Sequence, residues 1–192
     1  AAISLASGAQ VTIASNFSDS KAITGPGTLT VDSGVTASLA SGSNVTAIYD
    51  HGTIVAAGSL AGPINMEGNG AGSAVDFAGA NVTNHVLNNT LTNFGTTDAI
   101  TLSSANFGLN SSSDVLSETY SNNTLVVKDL TDGAAVTIAL SLTSGDSASW
   151  FKVSDASGQL VITLCFCAGT NIATPDGEVA VEALREGDLV LT

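Results

Sequence analysis

Gly27-Thr28-Leu29-Thr30-Val31 returns in kind as Gly52-Thr53-Ile54-Val55. Both runs alternate apolar with small polar residues, and both begin on a glycine. Alternation at period two puts the apolar side chains on one face of a strand and the hydroxyls on the other. Ala74-Val75-Asp76-Phe77 and Asn89-Thr90-Leu91-Thr92-Asn93-Phe94 repeat the pattern, and Val11-Thr12-Ile13 and Val45-Thr46-Ala47-Ile48 are shorter versions of it. Turn formers separate the runs: Ser7-Gly8, Gly25-Pro26-Gly27, Asp32-Ser33-Gly34 and Ser41-Gly42-Ser43. No helix competes, because Glu, Lys, Arg and Gln are scarce before residue 165 and apolar spacing at three and four is never sustained.

The runs read as successive rungs stepping from Leu29 to Ile54, Val75 and Leu91. One rung cannot bury its apolar face alone, so several must stack, and a parallel stack tolerates turns of unequal length. The expected fold is therefore all-β: a right-handed parallel β-helix (solenoid) over residues 1–97, with an antiparallel β-sandwich as the alternative. The texture changes near Thr97. Thr124-Leu125-Val126-Val127-Lys128-Asp129 and Ala135-Val136-Thr137-Ile138-Ala139-Leu140 flank Asp132-Gly133, a strong hairpin signal. A second hairpin is expected between Phe151-Lys152-Val153 and Leu160-Val161-Ile162-Thr163-Leu164. Residues 98–164 thus read as β-hairpins that cap the stack and cover its last edge. This block resembles the repeat-end segments of secreted, autotransporter-like β-helix proteins.

Charged residues are 11% of the chain, against a usual share of about 25%, so hydroxyls and amides must wet the surface. That composition resembles secreted bacterial β-solenoids and adhesins, which implies a secreted or cell-surface location. The net charge is −13, and Lys21, Lys128, Lys152 and Arg185 are the only cations. Binding to nucleic acid by phosphate neutralisation is excluded on that balance, as is binding to an anionic membrane surface. No apolar segment approaches the ~20 residues of a membrane span. The chain opens Ala1-Ala2-Ile3 with no visible signal peptide, as expected where a leader has been removed or a longer protein precedes it.

Few residues suggest chemistry before residue 165. His51 and His85 are the only histidines, and each falls in or near a turn, where a surface role is expected. Asn-x-Ser/Thr occurs at Asn16, Asn44, Asn81, Asn88, Asn110 and Asn122, as a chain this rich in those residues will show regardless. A carboxylate pair could cleave a glycosidic bond, but no cluster of Arg or Lys accompanies one. Trp150-Phe151 is read as core or cap, with sugar stacking as the alternative. No cofactor and no metal site is expected, because Cys165 and Cys167 lack the second pair that a zinc site requires.

The tail is more specific. Cys165, Phe166, Gly169, Thr170, Ile172, Thr174 and Gly177 are followed by Val181, Leu184, Gly187, Asp188, Val190 and Thr192. The spacing resembles the opening of a Hint domain, the self-processing fold shared by Hedgehog proteins and inteins. The resemblance implies that residues 165–192 are the truncated start of such a domain and that Cys165 is its catalytic nucleophile. The Cys165 sulfur would attack the Leu164 carbonyl and convert the peptide to a thioester, given a base and oxyanion donors. The family's Thr-x-x-His histidine has no counterpart, since no histidine follows His85. Cys167 stands at a variable family position. The chain as given is therefore expected not to process itself and not to be an enzyme.

The function expected is an extracellular, non-catalytic structural, adhesive or filament-forming module whose precursor carries a Hint domain. Its expected partners are further copies, associating through strand edges, with a surface glycan as a possible ligand. The alternatives are a carbohydrate-binding or carbohydrate-cleaving β-helix and a fragment of a self-cleaving protein.

Overall fold

A computed structural model of the chain describes residues 2–66, 72–78, 81–103, 116–131, 133–144, 148–156, 159–165, 171–175, 177–185 and 187–191. The chain winds about four turns of a β-solenoid, and two sheets form its walls. One wall is built from β1 (Ile3–Ser4), β2 (Gln10–Ile13), β4 (Ile23–Val31), β6 (Ser43–Asp50), β8 (Leu60–Ala61), β9 (Ile64–Asn65) and β12 (Val86–Phe94). The facing wall is built from β3 (Phe17–Ser18), β5 (Thr36–Leu39), β7 (Thr53–Ala56), β10 (Ala74–Phe77) and β13 (Ala99–Ser103). Pairing along both walls is parallel, which rules out the antiparallel sandwich.

Register aligns the inward positions into ranks. Val11 pairs with Leu29, Leu29 with Ile48, Ile48 with Ile64, Ile64 with Leu91, and Leu91 with Leu140. On the facing wall the rank runs Ala37, Ile54, Val75, Ile100 and Ile162. From Leu29 and Ala37 onward these residues are buried. Each apolar side chain so enclosed contributes roughly 1.5–3 kcal/mol. On the facing wall the outward residues Thr36, Ser38, Thr53, Val55, Ala74 and Asp76 are half-buried between neighbouring strands, whereas on the first wall Asn44, Thr46, Tyr49, Asn88 and Thr90 are exposed.

Two expectations are corrected. Each turn holds two strands, so Leu29 and Ile54 lie in opposite walls. The step from Ile54 to Val75 joins true neighbours, but Leu29 pairs with Ile48 and Leu91 with Ile64, in the wall opposite Val75. Alternation alone cannot distinguish the walls, because both carry the same pattern. Gly25-Pro26-Gly27 is not a turn between strands but an irregularity inside β4, where the register with β6 shifts between Gly25 and Thr28. The first turn crowds this segment. A Cβ on Gly27 would lie 2.7 Å from the Leu5 Cβ and 2.8 Å from the Ala9 carbonyl oxygen.

The closing elements change direction. β16 (Ala135–Leu142) continues the first wall in parallel on β12, and β15 (Thr124–Asp129) and β14 (Leu116–Ser121) follow antiparallel. On the facing wall β18 (Gln159–Leu164) pairs antiparallel with β13, and β17 (Phe151–Ala156) covers β18. Both expected hairpins are present, although Asp132 lies outside the described residues. Asp129 closes the first turn: its carboxylate accepts the Thr131 N–H and its carbonyl accepts the Gly133 N–H.

Corner geometry is the stringent part of this design. A Cβ on Gly52 would overlap the carbonyl oxygens of Asp32 and Val35 in the preceding turn. Gly34 sits in the left-handed region at φ 73°, yet it faces open space. Gly52→Ala is expected to cost about 1–3 kcal/mol, because the turn above must move. Gly34→Ala should cost only the left-handed penalty of about 1 kcal/mol. Urea denaturation of both variants checks this ordering; equal losses would show that the corner yields.

Candidate processing junction

The residues around Leu164 are organised by one aromatic ring. Phe151 opens β17 and is buried. Its ring stacks on Phe94 at 6.1 Å with 10° between planes, and Tyr120 packs on it at 5.3 Å, tilted by 40°. Tyr120 is fixed in turn by its hydroxyl, which donates to the Leu140 carbonyl at 3.0 Å. Burial raises the Tyr120 phenol above its usual range, opposed by the backbone of Leu142. Trp150, the preceding residue, is half-buried and packs against the core. The aromatic pair Trp150-Phe151 is therefore a cap, as the blander reading of the sequence had it.

Leu164 pairs with Phe151 at the end of β18, and its side chain is buried. The next residue, Cys165, donates its backbone N–H to the Trp150 carbonyl at 2.8 Å, and its side chain is half-buried. The Leu164–Cys165 peptide thus joins a core residue to a residue held by the cap. Phe166, Cys167, Gly169 and Thr170 lie outside the described residues.

Beyond them, β19 (Asn171–Thr174) and β20 (Gly177–Ala180) form an antiparallel two-stranded sheet. The Thr174 hydroxyl donates to the Gly177 carbonyl and ties the hairpin turn. The Arg185 N–H donates to the Asp188 carboxylate at 2.8 Å, and the Asp188 N–H returns to the Arg185 carbonyl at 3.0 Å. This turn sends the chain back to β19, where the Leu191 N–H meets the Ala173 carbonyl. Leu189, Val190 and Leu191 remain exposed.

By strand position His51 stands at the same corner as the junction, with β10 and β13 between β7 and β18, and His85 stands at the opposite corner. His51 follows the end of β6, and His85 precedes the start of β12, at opposite ends of strands in one parallel wall. The sequon at Asn81 is not a modification site: its side chain is buried, accepts the Leu60 N–H at 2.7 Å and donates to the Gly58 carbonyl at 2.8 Å. Among the described residues no three His, Cys, Asp or Glu side chains gather as metal ligands, and no helix is long and apolar enough to cross a membrane.

Sequence reasoning missed a polar ladder at one corner. The Ser73 hydroxyl donates to the Asp50 carbonyl at 2.5 Å, and its N–H donates to the Asp98 carboxylate at 2.8 Å. Asp98 also takes the Gly95 N–H at 2.8 Å, while Asp50 takes the Gly52 N–H at 3.1 Å through one oxygen. The second Asp50 oxygen meets no donor among the described residues. Burial, reinforced by the nearby Asp98 charge, pushes the Asp50 carboxyl up to about 7, against the Gly52 hydrogen bond that lowers it. Asp50 and Asp98 are both buried, so they do not offer a glycan the accessible acidic pair that hydrolysis requires.

A Hint-domain family model matches residues 164–192. No curated protein matches the chain, and no solved structure does. The Hint-type segment therefore begins where the solenoid core ends, and residues 2–163 are known by their fold alone.

The Asp50 carboxyl binds its proton more tightly in the folded chain (about 7) than in the unfolded one, whose ordinary value is 3.8. Its ionisation therefore removes stability as pH rises from about 4 to about 7, by up to about 4 kcal/mol. Asp50→Asn keeps an acceptor for Gly52 and cannot ionise. Relative to the parent, this variant should gain stability steadily across that window, as read from urea midpoints at successive pH values. A difference independent of pH would show that Asp50 does not titrate there.

Proposed function

We propose that the chain is a non-catalytic structural or adhesive solenoid module displayed outside the cell. In this reading the Leu164–Cys165 bond is the junction at which a Hint-type domain acts. The single observation that carries it is the coincidence of three limits. Among the described residues, the last buried residue of the solenoid is Leu164 and the last one hydrogen-bonded to its cap is Cys165, and the Hint match starts at residue 164. Scarce charge and hydroxyl-rich outer walls support an extracellular scaffold, and self-association through strand edges supplies its assembly.

The chemistry proposed for the junction is an acyl shift. The Cys165 thiol loses its proton to a base, and the sulfur attacks the Leu164 carbonyl carbon. The C–N bond breaks, the Cys165 nitrogen takes up a proton, and a thioester remains for water or another nucleophile to open. The 192 residues supply no histidine beyond His85, so no catalysis is assigned to them.

A version extended beyond Thr192 through the rest of such a domain tests the reading. Mass spectrometry should find a fragment ending at Leu164 when Cys165 is present, and the intact chain after Cys165→Ala. An extended chain that stays whole with Cys165 in place would sink the processing role.

A further inference from the structure

We propose that the outer face of the first wall, around Tyr49, is a binding site for a neutral polysaccharide. The proposal rests on the reading above that the module is adhesive, and names the face and the class of ligand.

Register builds the face. Thr30, Tyr49, Asn65 and Thr92 form one outward rank across β4, β6, β9 and β12. Neighbouring strands lie about 4.8 Å apart, so this rank is a line about 14 Å long, running along the solenoid. Thr28 and Ala47 begin a second rank beside it. Tyr49 is 37% exposed, although β4 and β9 flank its strand on both sides. Tyr120 and Trp150 pack against the core, whereas Tyr49 stands apart from it. Phe94, the other aromatic residue of these strands, is buried. Tyr49 is therefore a ring that the solenoid holds on its surface without using it to fill the core.

The groups around the ring suit a sugar. The Asn93 amide donates to the Asn65 carbonyl oxygen at 2.8 Å, which holds the two amides beside the aromatic rank. The hydroxyls of Thr30 and Thr92 can each donate and accept. A pyranose ring presents C–H groups on its face, which the electron-rich face of Tyr49 attracts. It presents hydroxyls at its rim, which amides and threonines can bond. Each strand of the face is fixed by the ladders beside it, so little ordering opposes binding.

Charge selects the class of ligand. The chain carries a net charge of −13, yet β4, β6, β8, β9, β12 and β16 hold a single charged residue, Asp50, and it is buried. An ionic ligand meets no counter-charge on this face, and a polyanion is repelled by the chain as a whole. A protein partner is disfavoured because the centre of the face is hydroxyl and amide rather than apolar. An ice surface is disfavoured because the rank mixes threonine, tyrosine and asparagine, where a lattice match needs one spacing and one kind of group repeated.

Depletion of the chain from solution by cellulose, chitin and starch granules tests the site, with polygalacturonate as the anionic control. At least one neutral polymer should retain the chain, and retention should persist at high salt because no ion pair contributes. Tyr49→Ala should weaken retention at least about tenfold, and Tyr49→Trp, which keeps an aromatic face, should preserve it. Unchanged circular dichroism and urea midpoint for Tyr49→Ala would show that folding is intact. Retention that survives Tyr49→Ala, or that salt abolishes, would overturn this face while leaving adhesion standing. No retention on any neutral polymer would overturn the face and glycan adhesion with it. Ice-growth inhibition lost in Tyr49→Ala, without sugar binding, would reassign the face to ice and equally overturn the proposal. The Leu164–Cys165 junction is decided separately by fragment masses, so the failure of either reading is told apart from that of the other.

Discussion

Parallel register is the constraint on which the rest of this structure depends. It stacks like on like, so one inward column runs from Leu29 through Ile48, Ile64 and Leu91 to Leu140. A slip of one residue in any strand would turn that column outward and expose it to water. The outer walls can be small and uncharged because they carry none of this burden. The composition follows: apolar residues are needed at every second position, and almost any small residue serves between them.

Stacking alone does not fix the corners, where the backbone leaves one wall and its polar groups lose their ladder partners. Side chains from one turn satisfy another there. The Ser43 hydroxyl accepts the Ile23 N–H and donates to the Ala40 carbonyl. Asn81 does the same work for Leu60 and Gly58. Buried polar groups left unpaired cost about 1–3 kcal/mol each, so these contacts hold neighbouring turns at one height. Asp50 and Asn89 are exceptions among the described residues: one Asp50 oxygen and the Asn89 Oδ1 meet no donor, and burial opposes the Asp50 charge.

The sequence made some of this legible and hid the rest for a definite reason. Period-two alternation at Thr28–Val31 and Thr53–Val55 shows that strands form and which side chains point inward. The hairpins around Gly133 and before Leu160 were readable because their signals are local. The pairing of Leu29 with Ile48 was not, since both walls use one alphabet and only the tertiary winding assigns a strand to a wall. The buried role of Asn81 was hidden for the same reason: its partners Gly58 and Leu60 lie a full turn away. At the junction, Cys165 stood out through its neighbours in the chain. The Trp150 carbonyl that holds its amide is a backbone group, which no residue type announces.

The position of the junction has its own physical logic. Leu164 fills the core beside Phe151, so a break one residue earlier would leave a cavity under the aromatic cap. Losing a buried leucine side chain costs about 2–5 kcal/mol, a large part of the stability of a small domain. A break one residue later would leave a thiol on the released solenoid. A break at the Leu164–Cys165 bond would leave the upstream part with its complete core and no thiol. A processing element placed there can be removed without unfolding what it delivers, because the last strand of the solenoid ends at the same residue as the last contribution to its core.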